Sequence, residues 1–238
     1  SDGKNIIPLS SSQDHKRIFD EDKGPNTGGM GSYSPTPLLD RELYDSIMSR
    51  IMRPTIDGMK RIGNPFKGFL YAGIMIEQHT NKPYVLEFNV RMGDPECQSV
   101  LMRMESDLFP YIKSASHEQL DLEYPIKWKN KFAVCVVMAS RGYPGTFAQG
   151  YPITGLNHNF GNDIKIFHSG TKIDANDQVV TNGGRVLGVT ALGSTVRNAI
   201  NNAYSAVQKI SWGTNDYYYR KDIAMKYSNV HKQACFFP

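Results

Sequence analysis

Apolar positions along the chain follow two spacings, and the switches between them predict the elements. Alternating or continuous apolar runs at Asn5–Leu9, Phe69–Ile76, Tyr84–Asn89, Phe132–Met138, Lys165–Phe167, Val179–Thr181 and Arg185–Leu192 read as strands. Helical spacing puts Leu43, Ile47 and Ile51 on one face behind Asp40, a residue type that caps helices. Pro54 lacks an amide proton, so that helix is expected to kink or restart there. One helix starting at Pro95 would carry Cys97, Val100, Leu101, Met104, Leu108 and Ile112 on its apolar side. Another, capped by Ser194, would carry Val196, Ala199, Ile200, Ala203, Tyr204, Val207 and Ile210. The polar turn His79–Lys82 makes its flanking strands an antiparallel hairpin, and Gly142–Gly145 and Asn182–Gly184 are further turns.

Between Ser10 and Pro37 neither spacing persists, which predicts one long ordered loop, a feature that is often functional. Ser1–Lys4 reads as a hairpin turn, and a chain opening on a turn is expected to be cut from something longer. The polar, Pro125-containing stretch Glu118–Asn130 reads as a linker between a unit at 1–120 and a unit at 131–227. Ser228–Pro238 keeps neither period and is expected to be an unrelated, disordered tail. The order of elements predicts an α+β fold, an antiparallel sheet with helices followed by a small mixed α/β domain.

Composition narrows the function classes. A hydrophobic share of 40% and a charged share of 21% fit a globular protein of one large or two small domains. A net charge of +4 suits small anionic substrates and lacks the concentrated basic patch of a nucleic-acid binder. Cys97, Cys135 and Cys235 lie far apart, with neither zinc spacing nor a disulfide framework, so a reducing, cytoplasmic setting is expected. No apolar run approaches membrane-spanning length, and Ser1–Lys4 is no signal peptide, so no membrane partner is expected.

The densest chemistry lies in Leu86–Glu96. Alternation along a strand would aim Glu87, Asn89 and Arg91 the same way before Gly93 and Pro95 break the strand. A carboxylate, an amide oxygen and a fixed cation on one face suit Mg²⁺ with polyphosphate, since Mg²⁺ shares hard oxygen ligands with phosphates and guanidinium pairs with the remaining oxygens. The plainer alternative is a solvated strand face of mutually paired charges. Ser12–Arg17 gathers an acid, an imidazole and two cations, either for phosphate and amine or as a hydrated loop. Gly24–Gly31 has four glycines, which would let backbone amides converge on an anion, yet it matches neither the P-loop nor the dinucleotide fingerprint. His168–Lys172, Asn182–Arg185 and Arg220–Asp222 read as turns and surface salt bridges.

Taken in order, Ser12–Arg17, Gly24–Tyr33, Gly68–Ile76 and Leu86–Glu96 resemble the glycinamide ribonucleotide synthetases, the phosphoribosylamine–glycine ligases. Val136–Gly145, Phe167–Lys172 and Val180–Leu192 extend the resemblance to about residue 227. It implies the large, metal-bearing lobe of an ATP-grasp fold, followed by the family's C-terminal domain. The implied reaction joins glycine to 5-phosphoribosylamine with ATP in purine synthesis, through an acyl phosphate. It implies Glu87 and Asn89 as ligands of Mg²⁺ or Mn²⁺, and Lys16, Arg91 and Asp94 as catalytic groups, with Arg91 on the moving phosphoryl group. Asp14, His15, Arg17, Asn26, Thr27, Gly28, Gly29 and Glu96 are implied on the glycine and phosphoribosylamine side, with Asp94 and Glu96 holding Arg91 or the amine.

The family also needs an N-terminal domain and an adenine-clamping lobe, expected upstream of Ser1. Partners would be the small substrates, that N-terminal part and other purine-synthesis modules, with no nucleic acid. Two alternatives remain open on sequence: an inactive binding remnant of the fold, and a carboxylase of the biotin or aminoimidazole type.

Overall fold

The computed structural model describes residues 1–77, 79–121 and 124–229. The expected strand Asn5–Leu9 is absent; Asp2 instead ties the opening turn down, accepting from the amides of Lys4, Asn5 and Leu120. The expected long loop is corrected too, because four short strands occupy it: β1 (Gln13–Asp14), β2 (Arg17–Phe19), β3 (Lys23–Asn26) and β4 (Gly31–Ser34). They are too short and too polar to show a period; β2 pairs with β3 and β1 with β4, and only β4 finds a further partner far along the chain, in β7.

Asp40 caps α1 (Arg41–Ile47), its carboxylate accepting from the Leu43 amide at 2.8 Å. A π-helical turn at Met48–Met52 leads into α2 (Arg53–Arg61). It sits just ahead of Pro54, whose missing amide cannot close the regular ladder, so the expected irregularity appears as a widened turn. β5 (Tyr71–Ile76) and β6 (Pro83–Asn89) form the hairpin, with a bulge where Gly73 pairs with Glu87 and Ile74 with Val85.

The single helix expected from Pro95 is two: α3 (Glu96–Arg103) and α4 (Phe109–Ser116). Met104 turns extended and bridges Trp128, Asp107 caps Phe109, and Pro110 can begin a helix but not continue one. The supposed linker is packed as well. Ile126 is buried with Met104 and Tyr111, and Ile7, Leu9, Leu101, Leu108 and Trp128 close around them.

The remaining elements are β7 (Phe132–Ser140), β8 (Ile153–Thr154), β9 (Ile164–His168), β10 (Thr171–Ile173), β11 (Val179–Thr181), β12 (Arg185–Gly193), α5 (Val196–Val207), β13 (Ser211–Trp212) and β14 (Tyr217–Tyr218). Thr195, not Ser194, caps α5, its hydroxyl accepting from the Asn198 amide at 3.1 Å. A 3₁₀ turn, Met225–Asn229, carries the described chain into the expected tail, whose residues 230–238 lie outside the described ones.

The main sheet runs β1-β4-β7-β12-β9, with β14 on the far end of β7, and every ladder among the described residues is antiparallel. All nine residues of β7 are buried, as an apolar strand covered on both faces must be. On one face α3 approaches closely enough for the Ser32 and Ser99 hydroxyls to meet at 2.9 Å. On the other, Ala199, Ala203, Ala206 and Val207 of α5 pack with Val134, Val136, Leu187 and Val189. The sheet therefore crosses the sequence boundary: β1 and β4 come from before the linker stretch, β7 and β12 from after it. This places the N-terminus of α3, the turn Thr27–Met30 and the start of β12 at one end of the sheet.

Candidate active site

The link between β1 and β2 sorts the Asp14–Arg17 cluster. Asp14 ends β1 and Lys16 lies in the link to β2, where its Nζ lies 2.7 Å from Asp14 Oδ2 as an ion pair. Asp14 Oδ1, Asp14 Oδ2 and Glu96 Oε2 are buried with no hydrogen-bond partner among the described residues. Glu96, on the first turn of α3, is 4% exposed, and its Oε1 accepts from the Tyr71 hydroxyl at 2.8 Å. Burial, and then Glu96, push the Asp14 carboxyl up to about 6 against the pull of Lys16. Burial would lower the Lys16 ammonium, but Asp14 outweighs it, helped by Glu96 and Glu87, and holds it raised. Burial and Glu96 raise the Tyr71 hydroxyl. The result is a buried pair of acids, Asp14 and Glu96, beside one lysine, suited to a small cation.

Glu87 and Asn89 sit two apart on β6, opposite Gly73 and Tyr71. Neither side chain makes a hydrogen bond or ion pair with another described residue. Two unspent hard-oxygen donors on one strand face fit a Mg²⁺ that fills its shell with phosphate and water. No group of three or more His, Cys, Asp or Glu gathers for a metal among the described residues, so these two would not hold an ion alone.

Arg91 lies beyond the strand, which ends at Asn89. Its guanidinium donates to the Met92 carbonyl at 2.9 Å and lines an open cleft of ≈ 490 Å³ together with Asp94, Gln98, Phe167 and His168. Asp94 does not hold Arg91, as was expected; its Oδ2 pairs with Arg185 at 2.7 Å.

The Thr27–Met30 turn is not an anion cradle. The Thr27 amide donates to Lys16 O, Gly28 to the Tyr143 hydroxyl, Gly29 to Thr27 Oγ1 and Met30 to His15 O. Its glycines serve close approach instead. Gly29 has φ +115, and a Cβ there would lie 2.4 Å from Pro95 Cδ and 2.9 Å from Asp14 Oδ1.

The structure does not bring His15, Arg17 or Asn26 to the pocket. His15 is 4% exposed; its ring turns inward against Tyr33, and Nε2 accepts from the Ala224 amide. Burial, then Arg220, lower its imidazolium to about 4, so it is neutral at pH 7. Arg17 donates outward to Gly24 O, and Asn26 is exposed on β3. Sequence reading missed Tyr143, Phe167, His168 and Arg185, which reach the site from beyond residue 140. Their glycine-rich contexts look like ordinary turns, and only the fold reveals what they face.

A family model described as phosphoribosylglycinamide synthetase, ATP-grasp (A) domain, matches residues 1–97, and one for the C domain matches residues 133–226. The chain is 48% identical over 227 residues to the chloroplastic phosphoribosylamine–glycine ligase of Arabidopsis thaliana, covering 94% of this chain and 42% of that one. Against the Vigna unguiculata ligase it is 48% identical over 213 residues, covering 89% of this chain and 68% of that one. The crystal structure of the Thermotoga maritima ligase superposes with a TM-score of 0.81 at 33% identity, over 92% of this chain and 52% of that one. A biotin carboxylase domain of 2-oxoglutarate carboxylase shares the fold alone, at 18% identity and a TM-score of 0.61. The chain spans about half the length of the Arabidopsis and Escherichia coli relatives, 42% and 52%. These matches, joined to a site built from the same motifs, make the chain a member of the phosphoribosylamine–glycine ligase family, on the ATP-grasp fold.

Proposed function

We propose that the complete ligase joins glycine to 5-phosphoribosylamine at the expense of ATP, and that this chain supplies its metal and amino-acid side. The observation that carries this is the buried Asp14–Glu96 pair, with Asp14 Oδ1 and Glu96 Oε2 left without a partner, beside Lys16 and the open Glu87–Asn89 pair. Asp14 and Glu96 would take the glycine ammonium. Keeping that nitrogen protonated stops it competing as a nucleophile and turns the glycine carboxylate toward the phosphates. The carboxylate oxygen takes the γ-phosphoryl group as ADP leaves. The amine of phosphoribosylamine then attacks the acyl carbon, loses a proton and expels phosphate. Lys16 and Arg91 neutralise the transferring group, which is where electrostatic positioning lowers the barrier of phosphoryl transfer.

Glu87 and Asn89 would hold Mg²⁺, or Mn²⁺, which when bound neutralises charge on the nucleotide phosphates. The adenine clamp would come from the part of the relatives this chain does not match, and other purine-synthesis modules would be partners. The exposed apolar residues Leu86, Phe88 and Val90 of the hairpin support further protein covering it. No helix among the described residues is long and apolar enough to cross a membrane. Cys97 and Cys135 are free thiols, and the cytoplasm is the proposed location.

Glu87→Gln in the complete ligase tests the metal role. It removes a charge and keeps the shape of an exposed strand residue, so the melting temperature should hardly move. Turnover should fall by roughly 10²-fold or more. Near-normal activity at low Mg²⁺ would rule the role out.

A further inference from the structure

We propose that Arg185 is the positioning residue of the amine pocket, an inference that rests on the ligase reading above. It opens β12, yet its guanidinium crosses to two loops of the first half of the chain. Nη1 donates to Gly28 O at 2.8 Å, Asp94 O at 3.1 Å and Gly29 O at 3.4 Å, and Nη2 to Asp94 Oδ2 at 2.7 Å. Those loops form two walls of the pocket: Gly29 abuts Asp14 Oδ1 and Pro95, and Asp94 leads into Glu96. The planar fork meets acceptors on both walls at once, which a single ammonium cannot do. Its side chain is 21% exposed, so solvent competes weakly for these bonds. Gly28 is shaped to receive it, since a Cβ there would lie 2.9 Å from Arg185 Cζ and Nη2. Tyr143, from the same half of the chain, accepts from the Gly28 amide at 3.0 Å and braces the turn from the other side.

The test compares the parent with Arg185→Met, Arg185→Lys and Gly28→Ala. Gly28→Ala displaces the guanidinium without removing it, and serves if the Arg185 variants fold poorly. Lys131→Met, which breaks the ion pair with Asp163, is the control. Amide exchange is read on this chain, and the kinetics on the complete ligase. Protection at Gly28–Met30 and Cys97 should drop by roughly tenfold or more in all three variants. The glycine KM should rise by about tenfold or more while kcat falls less, because a loosened wall misplaces the ammonium before it touches the phosphoryl step. Arg185→Lys should restore little, and the control should change neither readout. Unchanged protection in Arg185→Met overturns the clamp. Lost protection with an unchanged glycine KM leaves a structural tie and overturns the positioning role. A parent ligase that makes no use of glycine overturns the ligase reading instead, and the exchange result still decides whether Arg185 joins the loops.

Discussion

Asp14 and His15 are neighbours whose burial acts on opposite charge states. Asp14 is raised from 3.8 to about 6, so the folded state resists its ionisation. Its contribution to stability is fully present below 3.8 and is lost as pH rises through about 6. His15 is lowered from 6.5 to about 4, so its contribution is present above 6.5 and is lost as pH falls toward 4. Between these limits the two slopes oppose each other. Asp14→Asn removes one and uncovers the other. The variant's stability relative to the parent should therefore improve as pH rises from 4 to 7, by on the order of 1–3 kcal/mol. Urea midpoints of both proteins at several pH values give the difference curve, in which groups common to both cancel. Asp222 is one such group: burial would raise it, but Arg220 holds it down at about 2, below this window. A gap that does not change with pH would mean that Asp14 ionises freely in the fold. The same variant should weaken glycine use, since the acid whose burial costs stability is the one assigned to the ammonium.

At the scale of elements, α5 gives the cleanest test of packing. Ala203 is fully buried against the sheet, in an apolar stripe with Ala199, Ala206 and Val207. Ala203→Asp would bury an unpaired carboxylate and should cost roughly 3 kcal/mol or more, read as a lower denaturant midpoint. An unchanged midpoint would place that face of the helix elsewhere. This stripe was legible because twelve residues repeat one period. So were β7 and β12, long apolar runs, and the β5–β6 hairpin with its polar turn. β1 to β4 were not legible, because strands of two to four residues cannot show a period, and only pairing with one another and with β7 defines them. The break after α3 hid for the opposite reason: Met104 and Leu108 continue the apolar spacing, while Trp128, far along the chain, draws Met104 out of the helix. In the site, residue types were readable and partners were not. Asp94 beside Arg91 in sequence suggested a pair, and the fold gives Asp94 to Arg185.

Over the whole molecule, the halves on either side of the linker stretch share one sheet and one ion cluster centred on a buried arginine. Arg220 is 0% exposed and follows β14. It pairs with Asp222 at 2.7 Å and, across to the first half, with Asp22 at 2.9 Å and Arg17 O at 3.0 Å. Arg103 makes a second tie, donating to Lys131 O at 2.7 Å and Ser34 Oγ at 3.1 Å. With β4 hydrogen-bonded along β7 as well, neither half can unfold without exposing the other's buried surface. Residues 1–229 should therefore unfold in one cooperative step. The two tryptophans offer separate probes, since Trp128 packs in the linker cluster and Trp212 in the main core. Single-tryptophan variants, read by fluorescence against far-UV circular dichroism, should give coincident urea transitions. Arg220→Met takes the counter-charge from the partly buried Asp222, which keeps only the Glu21 amide, while Asp22 retains Lys226. The loss should fall toward the lower end of the 3–5 kcal/mol typical of a broken buried pair, about 3 kcal/mol. Both probes should shift together by that amount. A shift at Trp212 with none at Trp128 would show that the halves fold separately and that the shared sheet couples them weakly.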